Sequence, residues 1–151
     1  MPDLNRLEEA ICATIAASGG EVGRTKLMKL LFLADIKAQE QLGHTITDVG
    51  YRFHFYGPYT ADIIETAEGL VDEGHLSGCH RQLDDGRDYY SYSVPSRHRN
   101  GRGSLTDEER AILTGIAREW RGKPLRDLLD HVYGLEVMQS AVPGQSLRLT
   151  A

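Results

Sequence analysis

The chain has 151 residues, 40% of them hydrophobic, and a formal net charge of −5, which suits one domain with its own core and argues against binding by general attraction to phosphate. Two cysteines, Cys12 and Cys79, give no readable disulfide framework, and no stretch approaches the roughly 18 uncharged residues of a spanning helix. The start MPDLNRLEEA lacks the basic-then-apolar build of an export signal, so a cytoplasmic protein outside the membrane is expected.

From Asp3 to Ser18, Leu4, Leu7, Ile11 and Ile15 recur at helical spacing, with Asp3 or Asn5 available as a cap and Gly19-Gly20 as the stop. Cys12 lies on this stripe, where a buried thiol is the usual outcome. The next stretch, GRTKLMKLLFLADIKAQEQLG, puts Leu27, Leu30, Leu31, Ala34 and Ala38 on one stripe, widened by Met28, Phe32 and Ile36 and ended by Gly43. So broad an arc predicts a central helix, wet only along Lys26, Lys29, Lys37 and Glu40. Tyr51, Phe53 and Phe55 then alternate with Arg52, His54 and Tyr56, as in a short extended segment. Gly57-Pro58 stops it, and a third helix is expected over about 59–73, with Pro58 at its entry and Thr60 offering a cap.

HLSGCHRQ and DYYSYSV flank LDDGR, in which Asp85-Gly86 can supply the positive φ values of a tight hairpin turn. PSRHRNGRGS is polar and turn-rich, hence a loop. In LTDEERAILTGIAREW, Thr106 and Glu109 stand at capping-box spacing and predict a fourth helix. Gly122 breaks it, Pro124 restarts the pattern, and Leu125, Leu128, Leu129, Val132 and Tyr133 mark a fifth. The residues after Met138 show no periodicity. The expected fold class is α+β, mostly α: a winged-helix-like helical core, a β-hairpin over about 75–94 and a C-terminal helix pair. A single domain over 1–138 and an irregular tail over 139–151 complete the organisation.

A winged helix suggests DNA, yet the third helix carries Asp62, Glu65, Glu68, Asp72 and Glu73 and neither Lys nor Arg. Five carboxylates would repel a phosphate lattice, so nucleic acid is disfavoured. The alternative reading, a DNA-binding regulator, rests on Arg97, Arg99 and Arg102 beside His98 in the loop after the hairpin, or on Lys26, Lys29 and Lys37. Such charge runs solvate a loop or a helix face without any partner. Enzyme motifs are lacking: no G-x-S-x-G, P-loop, H-E-x-x-H or Gly-rich dinucleotide turn occurs, so no catalytic residue and no cofactor is assigned. No metal is assigned either, since on a strand His80 would point away from His75 and Cys79, and no second ligand cluster follows.

Two polar features stand out. Asp35 sits in LFLADI near the wide apolar arc, where an unpaired carboxylate costs several kcal/mol, on the order of a buried broken ion pair. Arg52 or a backbone amide of the following loop is its expected partner; an exposed acid at the arc's edge is the alternative. Tyr56-Gly57-Pro58-Tyr59 is either a strand-to-helix corner alone or a corner that also anchors a protein interface, since tyrosines offer contact area at low entropy cost.

Taken together, RTKLMKLLFLADIKAQEQLG, YRFHFYGPYTADIIETAEGLVDEGHL and the helical pair from LTDEERAIL to LLDHVYG resemble the SocA-like or Panacea domain family. The shared features are a K-L-x-K-L-L-[FY]-x-A-D helix at Lys26 to Asp35, the Y-G-P corner at Tyr56, Gly57 and Pro58, and a closing helix from Leu128 to Tyr133. The resemblance implies a small non-enzymatic cytoplasmic protein that neutralises a toxin encoded beside it, usually by direct binding. Some members of the family act as adaptors that hand a toxin to a protease. The partner-binding residues expected here are Tyr56, Gly57, Pro58, Tyr59, Asp62 and Glu65, and an acidic helix would suit a basic toxin.

Overall fold

The structure, a computed structural model, describes residues 4–54, 57–95, 104–147 and 149. It is α+β and mostly α-helical. The central element is α2 (Arg24–Leu42), in which every residue from Leu27 to Asp35 is buried. Three helices cover it: α1 (Arg6–Ala17) and α4 (Asp107–Trp120) pack on α2 and on each other, and α5 (Leu125–Tyr133) closes another side, while α3 (Ala61–Asp72) packs on α1.

The helix ends follow local chemistry. The Asn5 side chain accepts from the Glu8 amide and Glu8 accepts from the Asn5 amide, each at 2.9 Å, which starts α1. Thr106 and Glu109 form the same reciprocal box at α4, at 2.9 and 3.1 Å, and thereby satisfy donors that a helix start leaves open. Gly43 ends α2 in the left-handed region with φ 80°. Two ion pairs cross between α1 and α4: Arg6 with Glu109, and Glu9 with Arg110 at 2.9 Å.

Lys29 departs from the sequence expectation. It does not share the wet face of α2; only 2% of it is exposed, because neighbouring elements cover α2 on that side as well.

The expected hairpin consists of β4 (Ser77–Gln82) and β5 (Asp88–Ser93). Its turn differs from the tight one expected. Gly86 alone is left-handed, at φ 86°, while Asp85 keeps a negative φ and its carboxylate accepts from the Arg87 amide at 3.0 Å. That side-chain bond holds a longer, bulged turn closed by Leu83 N donating to Arg87 O at 2.7 Å. A third strand, β1 (Glu21–Gly23), which periodicity did not reveal, pairs antiparallel with β5 and sets the sheet order β1-β5-β4.

The aromatic segment contains β2 (Arg52–His54), which pairs with β3 (Gly57–Tyr59) in the register Arg52↔Tyr59, Phe53↔Pro58 and His54↔Gly57. Gly57-Pro58-Tyr59 is therefore a strand and not the entry of α3. The helix starts two residues later than expected, at Ala61, capped by Thr60. The residues after Met138 are also more ordered in their pairing than their lack of periodicity implied. A short helix, α6 (Glu136–Gln139), leads into a turn at Val142–Gln145, and the chain then runs along β2. Phe53 N donates to Gln145 O at 2.9 Å, Gly144 N to Phe53 O at 2.8 Å and Leu147 N to Tyr51 O at 2.8 Å.

Candidate protein-binding surface

The corner is built from the inside. Gly57 has φ 92°, a conformation that a side chain would strain, and a Cβ there would lie 3.4 Å from Cε of Lys29 and 3.9 Å from the Tyr133 ring. The Lys29 ammonium donates to Pro58 O at 2.8 Å. Burial of that cation lowers its pKa to about 8. Tyr133 in turn meets Phe53 edge-on, with ring centroids 6.3 Å apart. Gly57 and Pro58 are thus buried and Tyr59 is half-buried, packed against the core. They shape the corner from beneath its surface. Tyr56 lies outside the described residues.

Past the corner, Thr60 Oγ1 accepts from the Asp62 amide at 3.3 Å and sets the direction of α3. Ile63, Ala67 and Leu70 turn inward, so Asp62, Glu65, Glu68 and Asp72 project to solvent, with Glu73 at the cap. Glu68 is held in place: it pairs with Arg24 and accepts from the Tyr92 hydroxyl at 2.9 Å, while Arg24 Nε donates to the same hydroxyl at 2.9 Å. The Arg24 guanidinium also lies 4.0 Å over the Tyr90 ring. Burial, more than the neighbouring Glu68, raises the Tyr92 hydroxyl to about 12. This knot joins the start of α2, the middle of α3 and β5, so the acidic face has a fixed pose against the sheet.

Asp35 belongs to the scaffold. Fully buried, it accepts from the amides of Ile46 at 2.7 Å and Thr47 at 3.0 Å, from the Thr47 hydroxyl at 2.6 Å and from the Tyr51 hydroxyl at 2.7 Å. Desolvation pushes its carboxyl above the ordinary value and these donors oppose the shift. Of the two partners anticipated, the backbone amides hold it; Arg52 is exposed and pairs through its backbone with Tyr59 and Ser146 instead. The lock onto the aromatic segment comes instead from Tyr51, whose ring meets Phe32 edge-on at 5.0 Å.

The remaining candidates do not converge. Arg97, Arg99 and Arg102 lie outside the described residues. His80 bonds Asp88 at 2.9 Å and stacks on Tyr90 with centroids 4.4 Å apart, on an exposed hairpin. Among the described residues no group of three or more His, Cys, Asp or Glu could hold a metal ion, and no helix is long and apolar enough to cross a membrane. Lys29 and the Arg24–Glu68–Tyr92 knot escaped sequence reasoning. The apolar run on both sides of Lys29 was the available signal for the first; the second depends on residues 24, 68 and 92 meeting in space.

No curated protein and no solved structure matches the chain. The family model described as "Antitoxin SocA-like, Panacea domain" matches residues 27–136, from the core of α2 to the start of α6. With that match over more than half of its length, the chain belongs to the SocA-like Panacea domain family.

Proposed function

We propose that this protein is the antitoxin of a toxin–antitoxin pair, binding a basic toxin through the exposed acidic face of α3. Family membership supports a toxin–antitoxin-related role with a protein partner. The observation that carries the finer reading is the row of outward carboxylates, Asp62, Glu65 and Asp72, on a helix anchored to the sheet through Glu68. A fixed acidic row complements a cationic surface and speeds encounter with it. Neutralisation then follows from occlusion of that cationic surface, and delivery to a protease is a further use of the same complex. A DNA-reading role for α3 is opposed by the same carboxylates.

Co-expression with the product of the gene adjoining its own tests the reading, scored by growth rescue and co-purification. The wild type is expected to rescue, and the Asp62→Lys, Glu65→Lys double variant to lose rescue and at least tenfold in affinity while its thermal melt stays unchanged. The complex should also weaken steeply as salt rises from 0.1 to 0.5 M, roughly the range over which screening becomes strong. Failure of the wild type to bind or rescue would refute the antitoxin reading. Unchanged rescue by the double variant would move the contact off α3.

A further inference from the structure

The hairpin carries a strand whose outer edge no other described element pairs with or covers. All six residues of β4, Ser77–Gln82, are exposed, and among the described residues β4 pairs only with β5. The turn fixes which backbone groups are left over. Because Leu83 N donates to Arg87 O across the strands, hydrogen-bonded pairs recur at alternate positions of the antiparallel ladder. In the observed register these are Arg81↔Tyr89, Cys79↔Ser91 and Ser77↔Ser93. The N–H and C=O groups of Gly78, His80 and Gln82 therefore point away from β5, along a free edge. Natural sheets protect such edges with proline, inward charges or a covering element. β4, with the sequence SGCHRQ, has no proline; its one charged residue, Arg81, alternates to the face away from α3 and lies 5.0 Å over the Tyr89 ring, and no described element covers the edge.

The edge adjoins the acidic face. The α3 helix leads into β4 after Glu73–Leu76, Glu73 lies 3.7 Å from His75, and a Cβ on Gly78 would sit 3.5 Å from the Val71 side chain. The sheet face that carries Gly78, His80 and Gln82 is thus the face on which α3 packs. Side chains on that face of an added strand would approach the C-terminal acids of α3, Asp72 and Glu73, both exposed.

We propose that β4 is a strand-acceptor edge, and that its occupant is an extended segment of the toxin with Lys or Arg at the alternate positions facing α3. This deepens the antitoxin reading and rests on it. Main-chain hydrogen bonds to Gly78, His80 and Gln82 would supply the pairing, and the carboxylates of α3 the selection for basic side chains. Proline has no amide to donate, yet an edge strand tolerates it where its nitrogen faces solvent. One position can therefore separate main chain from side chain.

The test uses the full chain with the product of the adjoining gene, in three forms: wild type, His80→Ala and His80→Pro. His80→Ala deletes the ring and keeps the outward amide; His80→Pro removes the amide as well. The expected result is an affinity within threefold of wild type for His80→Ala, at least a tenfold loss for His80→Pro with an unchanged melt, and slowed hydrogen exchange at Gly78, His80 and Gln82 in the wild-type complex. A complex that forms equally well with His80→Pro, or that leaves those amides exchanging as in the free protein, would overturn the strand-acceptor proposal while the antitoxin reading stood. Absence of any complex with the wild type would overturn both.

Discussion

Asp35 and Lys29 are two buried charges on one helix, and they meet opposite environments. Asp35 has four donors within 3.0 Å, so deleting its carboxylate strands two amides and two hydroxyls in the core. Asp35→Ala should lower stability by about 3–5 kcal/mol and Tyr51→Phe by about 1–2 kcal/mol. Urea midpoints measure both, and an unchanged midpoint for Asp35→Ala would contradict the role assigned to it. Lys29, by contrast, has the Pro58 carbonyl as its hydrogen-bond acceptor among the described residues. Its pKa is about 8 in the fold against 10.5 for an ordinary lysine, so between those values the unfolded chain holds more protons. Stability contributed by this group therefore rises with pH across that window. Below pH 8 the lysine is charged in both states and the fold bears the desolvation cost. Unfolding at pH 7.5 and pH 10 should show a gain on the order of 2 kcal/mol in wild type relative to Lys29→Met; parallel responses of the two would refute it.

At the scale of elements, the chain after α6 is the least expected contributor. It turns at Gly144 and lends its backbone to Tyr51 and Phe53, so the two-stranded β2–β3 pair gains a third partner, and Leu147 and Leu149 pack against the core. Isolated two-stranded pairs are marginal. Removal of residues 142–151 should therefore loosen the corner: stability falls by about 1–2 kcal/mol, helix content is retained, and the Phe53 amide, which donates to Gln145 O, loses its exchange protection. Phe53 exchanging equally slowly in the truncated chain would argue that the tail is incidental. The capping boxes show the opposite case. Asn5–Glu8 and Thr106–Glu109 are satisfied within four residues, and Thr106–Glu109 was legible as a spacing before any tertiary contact was known. The Gly57-Pro58 corner lies between these cases. Its break was visible in the residues, but periodicity assigned it to the entry of α3, because one Pro serves equally at a helix start and on an edge strand. Only pairing with β2 distinguishes the two.

For the whole molecule, the division follows the range of the interactions. The sequence by itself determined the α-rich class, the central position of α2, the start of α4, the hairpin and the acidic surface of α3. All of these rest on periodicity, caps and charge within a few residues. It also carried the family resemblance, whose motif residues include Lys29, Asp35, Gly57 and Pro58. The tertiary structure alone decided that β1 joins β5, that the tail joins β2, that Lys29 is inside and that loop amides hold Asp35 while Arg52 stays outside. Each joins residues far apart along the chain or depends on what covers a helix face. Such contacts leave no local period to read, since loop closure and packing select them collectively once the core has formed.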